Sequence, residues 1–221
     1  MFSGPEGLIE NMVEGSCVFV CSTISPEQAR TLGKMAEKHR IRFLDAPISG
    51  GVEGARAGTL SVMVGGDLSI LEEHQSALEA IGSNIYHFGN VGAGESAKAI
   101  VQLLVVINNV GVAEALLLAA KSGLNLKKVH NLISNSAGDS WIFQHRANRM
   151  MERDFSPRGV LRILLKDVDI VRDAAKSLDL VLPMTNLVGQ LYRAGVNAGW
   201  GDEDDSAILK VLEKLTNYSI S

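Results

Sequence analysis

Three polar side chains lie at helical spacing within a long apolar segment of the chain. Lys98 and Gln102 are four residues apart, and Asn109 follows Lys98 by eleven residues, which is about three helical turns. All three therefore share one face, where an unpaired buried polar group costs roughly 1–3 kcal/mol. In one interpretation the lysine extends into solvent and both amides find partners. In the other, Lys98 is a general acid/base whose pKa is lowered by burial, and an amide positions a substrate.

A second candidate site is the small-residue turn Ser49-Gly50-Gly51, which follows a hydrophobic run ending in Asp-Ala-Pro. Ligands tend to bind at strand ends of this kind in α/β sheets. Adjacent glycines also let a carboxylate approach backbone N–H groups without a Cβ in the way. The turn is therefore either a carboxylate-binding site or a tight structural corner.

The first part of the chain alternates strands with helices, which favours an α/β layer with at least partly parallel strands. Ser25, Pro26 and Gln28 form a capping box with proline at the first helical position, so a helix begins there and runs to about His39. Asp67 is expected to cap a second helix, through Ile81. The predicted strands are 16–21, 41–47, 58–66 and 84–89.

The pattern changes near Gly89, after which only helical periodicity is found. We therefore predict an α/β domain over residues 1–91 and an all-helical domain over residues 92–221. The predicted helices of the second domain are 95–122, 126–135, 140–152, 159–178, 184–196 and 204–216.

Composition excludes several classes of function. The net charge of −4 argues against a general nucleic-acid binder, which usually presents a basic face.

Cys17 and Cys21 lie in one predicted strand, about 13 Å apart at roughly 3.3 Å per residue, too far for a disulfide. They are typical of a reducing compartment, so we expect a cytoplasmic protein. The five histidines show no metal-ligand spacing, and no metal is expected.

The apolar segment 97–123 is long enough to be mistaken for a membrane span. Its polar residues include Lys98, Gln102, Asn109 and Glu114, so a buried core helix is the better prediction, with no membrane partner.

Four blocks of the sequence resemble the β-hydroxyacid dehydrogenases, a family that includes 3-hydroxyisobutyrate dehydrogenase and tartronate semialdehyde reductase. They occur in the family's order and spacing, and the resemblance covers essentially all 221 residues. The DAP-x-SGG-x-x-GA-x-x-GTL pattern within the second block is highly specific. The blocks are FVCSTISPEQAR (19–30), FLDAPISGGVEGARAGTLSVMVGG (43–66), GNVGAGESAK (89–98) and KDVDIV (166–171).

The resemblance implies a C-terminal portion of a Rossmann-like domain that binds NAD or NADP, followed by an all-α domain like that of 6-phosphogluconate dehydrogenase. The long first helix of the second domain would support a homodimer or higher oligomer.

It also implies roles for individual residues in the oxidation of a short 3-hydroxy acid, or in the reverse reduction. Lys98 matches the catalytic lysine, and Ser49, Gly50 and Gly51 match the turn that holds the carboxylate of the small substrate. Thr23 matches a position beside the cofactor. Lys166 matches a lysine near both nicotinamide and substrate.

Position 102 departs from the commoner family pattern. Many members carry asparagine four residues after the catalytic lysine, and here Gln102 occupies that place. With SNSAGDSW (134–141) and AGWGDEDDSA (198–207), it resembles the branch that acts on four-carbon sugar acids such as L-threonate or D-erythronate. The longer amide arm would move its anchoring point by about one methylene and alter substrate choice.

The family's G-x-G-x-x-G phosphate-binding turn does not occur in this sequence. We therefore expect that a first βαβαβ portion, on the order of 60–80 residues, is absent. Two consequences follow. The chain is either an active dehydrogenase or a non-catalytic pseudoenzyme or dimerising scaffold. The neighbouring strand would present an open apolar edge, which predicts an oligomer or dependence on a partner.

Overall fold

The computed structural model describes residues 2, 4 and 7–220 of the chain. Its residue contacts divide it into a first unit, Met1–Ile100, and a second unit, Val101–Ser221. Strands and helices make up the first unit, whereas the described part of the second contains helices and one isolated bridge between Val160 and Asp204. An α/β region followed by a helical region is therefore confirmed. The predicted boundary between residues 91 and 92 stays a prediction.

Five short strands form the sheets in the described part of the first unit. Four were predicted, and β3 was not, because two residues carry no alternating pattern. β1 and β2 are parallel, β3 is antiparallel to β4, and β4 is parallel to β5. The strands are β1 (Cys17–Val20), β2 (Arg42–Asp45), β3 (Ile48–Ser49), β4 (Ser61–Val64) and β5 (Asn84–His87).

The ends of β2 and β4 are joined by main-chain hydrogen bonds. The N–H of Asp45 donates to Gly65 O (3.0 Å), and the N–H of Gly65 donates to Asp45 O (2.8 Å). The N–H of Met63 also donates to Pro47 O (2.9 Å). These bonds bring the Asp-Ala-Pro segment alongside the end of β4.

Five helices lie entirely within the described part of the first unit: α1 (Leu8–Asn11), α2 (Pro26–Lys38), α3 (Gly51–Ala57), α4 (Leu68–Glu73) and α5 (Gln75–Glu79). The capping box of α2 is confirmed, since Ser25 Oγ accepts from Gln28 N and Ser25 N donates to Gln28 Oε1. The predicted single helix from Asp67 to Ile81 is wrong, because the backbone leaves helical geometry at His74 and two helices result. α3 was not predicted, because its Gly- and Ala-rich sequence lacks an apolar stripe.

Alternating side chains of β2 pack on opposite faces of the sheet, as the period of a strand requires. Phe43 joins a cluster with Ile9, Val18 and Ala36, which covers the face towards α1 and α2. The next residue, Leu44, belongs to a different cluster, which includes buried residues of β4, α4 and α5. β2 is therefore a central element of this unit.

The remaining helices confirm the predicted second region, with small shifts at their ends. The last predicted helix, 204–216, is wrong at its start, where a 3₁₀ turn at Asp205–Ala207 precedes α11. A π-helix at Val196–Trp200 follows α10. The helices are α6 (Ala93–Lys121), α7 (Leu126–Ser134), α8 (Trp141–Glu152), α9 (Leu161–Ser177), α10 (Pro183–Gly195) and α11 (Ile208–Thr216).

The helix α6 begins in the first unit and continues into the second. By length and composition it could cross a membrane, and 44% of its most apolar window is buried. Val106, Val110, Ala113 and Leu116 lie in the core of the second unit. The prediction of a buried core helix is therefore confirmed for the face of α6 that carries these four residues.

Buried ion pairs join α8 to the turn that precedes α11. Arg146 Nη2 donates to Asp205 Oδ2 (3.1 Å), and Arg149 Nη1 lies 3.1 Å from Asp204 Oδ2. Burial raises the pKa of Asp205 to about 6, against the opposing effect of the Arg146 charge. These charges are enclosed within the second unit and have a structural role.

Candidate functional site

The predicted residues of the first unit follow the carboxyl ends of two neighbouring parallel strands. Thr23 is half-buried in the segment after β1. Asp45 ends β2, and the chain then passes through β3 to the Ser49-Gly50-Gly51 turn. In open α/β sheets, ligands bind at such carboxyl ends.

The Ser49-Gly50-Gly51 turn connects β3 directly to α3. Ser49 is half-buried and pairs with Ser61, while Gly50 and Gly51 have φ angles of 134° and 64°. A Cβ on Gly50 would lie 2.9 Å from Leu60 Cδ2. The positive φ favours glycine at position 50, whereas the Leu60 side chain could move away from a Cβ, and the missing Cβ atoms leave the main chain of the turn accessible.

Asp45 connects the end of β2 to the start of α6, and its side chain is fully buried. Its Oδ1 accepts a hydrogen bond from Gly92 N (2.7 Å), and its Oδ2 accepts one from Glu95 N (2.9 Å). The first N–H groups of a helix have no partner within the helix, so this carboxylate caps α6 from a distant part of the sequence.

Glu95 is also fully buried and connects α6 to the segment that follows β1. Its Oε2 accepts a hydrogen bond from Ile24 N (3.3 Å), next to Thr23. Burial raises the pKa of the nearby Cys21 thiol, and the Glu95 carboxylate adds to that effect. Cys17 and Cys21 are free thiols, as predicted. The start of α6 is therefore bonded to the end of β2 and to the segment that follows β1.

Lys98 lies in the second turn of α6, and only 6% of it is exposed. The interpretation in which this lysine extends into solvent is wrong. Lys98 follows Glu95 by three residues and so lies next to the first turn of α6, whose N–H groups are bonded to Asp45. Burial disfavours the charged form of a lysine, which is one way in which proteins prepare a lysine for proton transfer.

In the second unit, Asp167 brings together two of the predicted residues. It is 3% exposed, and its Oδ2 accepts a hydrogen bond from the buried Gln102 Nε2. Its Oδ1 lies 2.9 Å from Lys166 Nζ, whose side chain is half-exposed. Asp167 thus fixes the orientation of the amide and holds the ammonium group of its neighbour.

Asn109, the third polar residue of the α6 face, has a structural role. Its Nδ2 donates to Tyr192 Oη and to Asp205 O, both at 2.9 Å. The expectation that the amides of Gln102 and Asn109 both have partners is therefore confirmed. The partner of Gln102, Asp167, is next to the predicted site residue Lys166, whereas the partners of Asn109 are not next to a predicted site residue.

Sequence reasoning missed Asp45, Glu95 and Asp167. All three lay inside quoted motifs, yet the partners of their side chains are 47 to 71 residues away in the sequence, so no local signal identified them. The described residues contain no group of three or more His, Cys, Asp or Glu side chains suited to a metal ion.

Comparison with known proteins identifies both halves of the chain. Residues 1–89 match the NAD-binding domain of 6-phosphogluconate dehydrogenase. Residues 92–212 match the domain described as the NAD-binding of NADP-dependent 3-hydroxyisobutyrate dehydrogenase. An L-threonate dehydrogenase of Pectobacterium atrosepticum is 35% identical over 217 residues, which cover 98% of this chain and 71% of that protein. The chain belongs to the β-hydroxyacid dehydrogenase family.

Two further members show the same similarity. A 2-(hydroxymethyl)glutarate dehydrogenase of Eubacterium barkeri is 35% identical over 222 residues, covering all of this chain and 74% of that protein. A crystal structure of 3-hydroxyisobutyrate dehydrogenase from Salmonella typhimurium superposes with a TM-score of 0.88 at 35% identity, covering 93% of this chain and 72% of that one.

Membership confirms several predictions. The fold is a Rossmann-like region followed by an all-helical region, and the family consists of NAD(P)-dependent hydroxy-acid dehydrogenases. The cofactor class, NAD or NADP, agrees with both matched domains. The absence of a first βαβαβ portion stays a prediction, as do the roles of the individual site residues.

Proposed function

We propose that this chain transfers a hydride between NAD or NADP and a short 3-hydroxy acid, with Lys98 as general acid/base. The observation that carries the proposal is the burial of Lys98 on a helix whose start is bonded to Asp45. Asp45 is four residues before the Ser49–Gly51 turn. One short segment therefore connects the proposed proton-transfer group to the proposed carboxylate site.

In the oxidation direction, Lys98 Nζ accepts the proton of the substrate hydroxyl as the C–O bond becomes a carbonyl. In the reduction direction, the same ammonium group returns a proton to the carbonyl oxygen. When bound, the nicotinamide accepts or supplies the hydride of the substrate carbon. The protein contributes position, charge and proton transfer.

The substrate carboxylate binds at the Ser49–Gly51 turn, where the hydroxyl of Ser49 and main-chain N–H groups are the donors. Gln102 orients the carbon skeleton, and Asp167 holds its amide. The half-exposed charge of Lys166 attracts an anionic substrate and the cofactor.

The residues of the first unit fit the nicotinamide end of such a cofactor. Thr23 offers a half-buried hydroxyl beyond the carboxyl end of β1. The glycines at positions 50 and 51 leave the main chain of their turn accessible, and the two segments occur in the same order as in the family. No residue is assigned to the pyrophosphate, since the G-x-G-x-x-G motif does not occur in the sequence.

The substrate class that we favour is a four-carbon sugar acid such as L-threonate. Support comes from Gln102, whose longer arm suits a different skeleton, and from the similarity to L-threonate dehydrogenases. We also propose a cytoplasmic protein that forms a homodimer or higher oligomer, with domains over residues 1–91 and 92–221.

Cofactor binding separates an enzyme from a non-catalytic scaffold. We expect the fluorescence of NADH or NADPH to change on titration with this chain, because the emission of the reduced nicotinamide depends on its surroundings, which binding changes. The dissociation constant for each cofactor is read from the titration. No response at millimolar cofactor would favour the scaffold and contradict the proposal for this chain.

A further inference from the structure

The first turn of α6 is in direct contact with the ends of β2 and β4. A Cβ on Gly94 would lie 2.3 Å from Met63 O and 2.9 Å from Asp45 O. A Cβ on Gly65 would lie 2.6 Å from Asp45 Oδ1 and 2.7 Å from Gly94 N. Real Cβ atoms essentially never approach other atoms this closely, so both glycines are needed. The helix therefore starts at a fixed place on the sheet.

The carboxylate of Asp45 fixes the direction of that start. Each of its two oxygens accepts one N–H, from Gly92 and Glu95, so both ends of the first turn are held. The carboxylate is fully buried, and its charge lies at the positive end of the helix dipole. Charge-assisted hydrogen bonds of this kind are roughly twice as strong as neutral ones.

The same residue is linked to both parts of the proposed reaction site. Along the chain, Asp45 precedes Ser49 by four residues. Through its hydrogen bond, it holds Glu95, which precedes Lys98 by three residues, or less than one helical turn. A change in the Asp45 bonds would therefore shift the lysine relative to the turn.

We propose that Asp45 is a positioning residue that sets the place of Lys98 relative to the Ser49–Gly51 turn. It touches neither substrate nor cofactor and acts through the first turn of α6. The inference rests on the proposed function, because it assigns to Asp45 the alignment of that reaction.

Asp45→Asn is the informative variant because it keeps the size of the side chain. An amide has one oxygen, so it can accept one of the two N–H groups, while its NH₂ faces the other donor. The variant also removes the negative charge at the helix start. Asp67→Asn is the matched control, since Asp67 is an exposed helix cap in the same unit whose Oδ1 accepts from Ser69 N (2.8 Å).

Two measurements do not depend on turnover. Hydrogen exchange at the Gly92 and Glu95 amides, followed by NMR, reports the cap. The rate of reductive methylation of Lys98 as a function of pH, followed by peptide mass spectrometry, reports the surroundings of the ammonium group. We expect Asp45→Asn to lose protection at both amides and to change the pH dependence of Lys98 labelling. Asp67→Asn is expected to match the wild type in both.

A third measurement separates alignment from binding. Asp45→Asn is expected to lower kcat by roughly tenfold to a hundredfold, because a misplaced catalytic group loses its productive geometry. The dissociation constant for NADH is expected to stay within about twofold of the wild type, since binding does not require proton transfer. This split would not arise from general destabilisation.

The failures of the two proposals are distinguishable. If Lys98 labelling in Asp45→Asn follows that of the wild type although the amides lose protection, the positioning role is overturned and the proposed function is untouched. If the wild type shows neither turnover nor cofactor binding, the proposed function fails, whereas changed Lys98 labelling in Asp45→Asn would still support the alignment. Should Asp45→Asn not fold, rapid exchange of the Gly92 and Glu95 amides in the wild type would overturn the proposal, and slow exchange would support it.

Discussion

Asp167 fixes the orientation of the Gln102 side chain. The amide nitrogen of Gln102 donates to a buried carboxylate, so the side chain has one orientation. The length of the arm then determines which part of a substrate the amide can contact. Residue choice at position 102 is therefore expected to control substrate choice and to leave the proton chemistry unchanged.

Gln102→Asn tests that role at the residue scale. We expect the variant to lose roughly tenfold in kcat/KM for L-threonate relative to 3-hydroxyisobutyrate, which is the effect of about one methylene in a substrate site. Because Lys98 is unchanged, the pH profile of kcat should follow that of the wild type. Steady-state rates with both acids measure the effect.

Gln75→Asn is the control for this change, since Gln75 Nε2 also donates to an acid, Glu79 Oε1 (2.8 Å), and both side chains are exposed on α5. This control should keep the substrate preference of the wild type. An unchanged preference in Gln102→Asn would show that position 102 does not select the substrate.

At the scale of elements, α6 has two different faces. One face lies in the core of the second unit, whereas the other exposes Ile100, Leu104 and Leu118. Ile100 and Leu118 are about five helical turns apart, so they lie at nearly the same angle around the axis. An exposed apolar stripe on a helix is typical of a protein–protein contact. Among the described residues, β1 also pairs on one side only, with β2.

We expect the chain to be a dimer or higher oligomer in light scattering, with α6 in the contact. Leu118→Glu should reduce the molar mass to that of a monomer, because a charge in an apolar interface is costly. Leu178→Glu is the control, since the two leucines are similarly exposed, at 70% and 68%, and Leu178 lies at the end of α9.

A monodisperse monomer for the wild type would contradict the predicted oligomer. If the wild type is an oligomer and Leu118→Glu remains one, the contact lies elsewhere, with the open side of β1 as the next candidate.

At the scale of the whole molecule, the sequence predicted what depends on local patterns. The Ser25–Gln28 capping box and the apolar periodicity of the second region are signals within a few residues, and the structure confirms them. The break between α4 and α5 involves the single residue His74, and β3 has only two residues. Neither is long enough to produce a periodic pattern in the sequence. The blocks shared with the family identified Lys98 and the Ser49–Gly51 turn, whose roles stay predictions.

The sequence could not show how those residues are held. Asp45 and Gly92 are 47 residues apart, and Gln102 and Asp167 are 65 apart, so their hydrogen bonds arise only when the chain folds. Buried acids of this kind need partners, but the sequence does not say which.

The central measurement is the rate at which this chain oxidises L-threonate or 3-hydroxyisobutyrate with NAD or NADP, compared between the wild type, Lys98→Ala and Lys127→Ala. Lys127 is an exposed lysine on α7 and serves as the control. We predict turnover by the wild type and Lys127→Ala, and a loss of about a hundredfold or more in kcat for a folded Lys98→Ala variant. Near-normal kcat in Lys98→Ala, or no turnover by the wild type with either cofactor, would contradict the account.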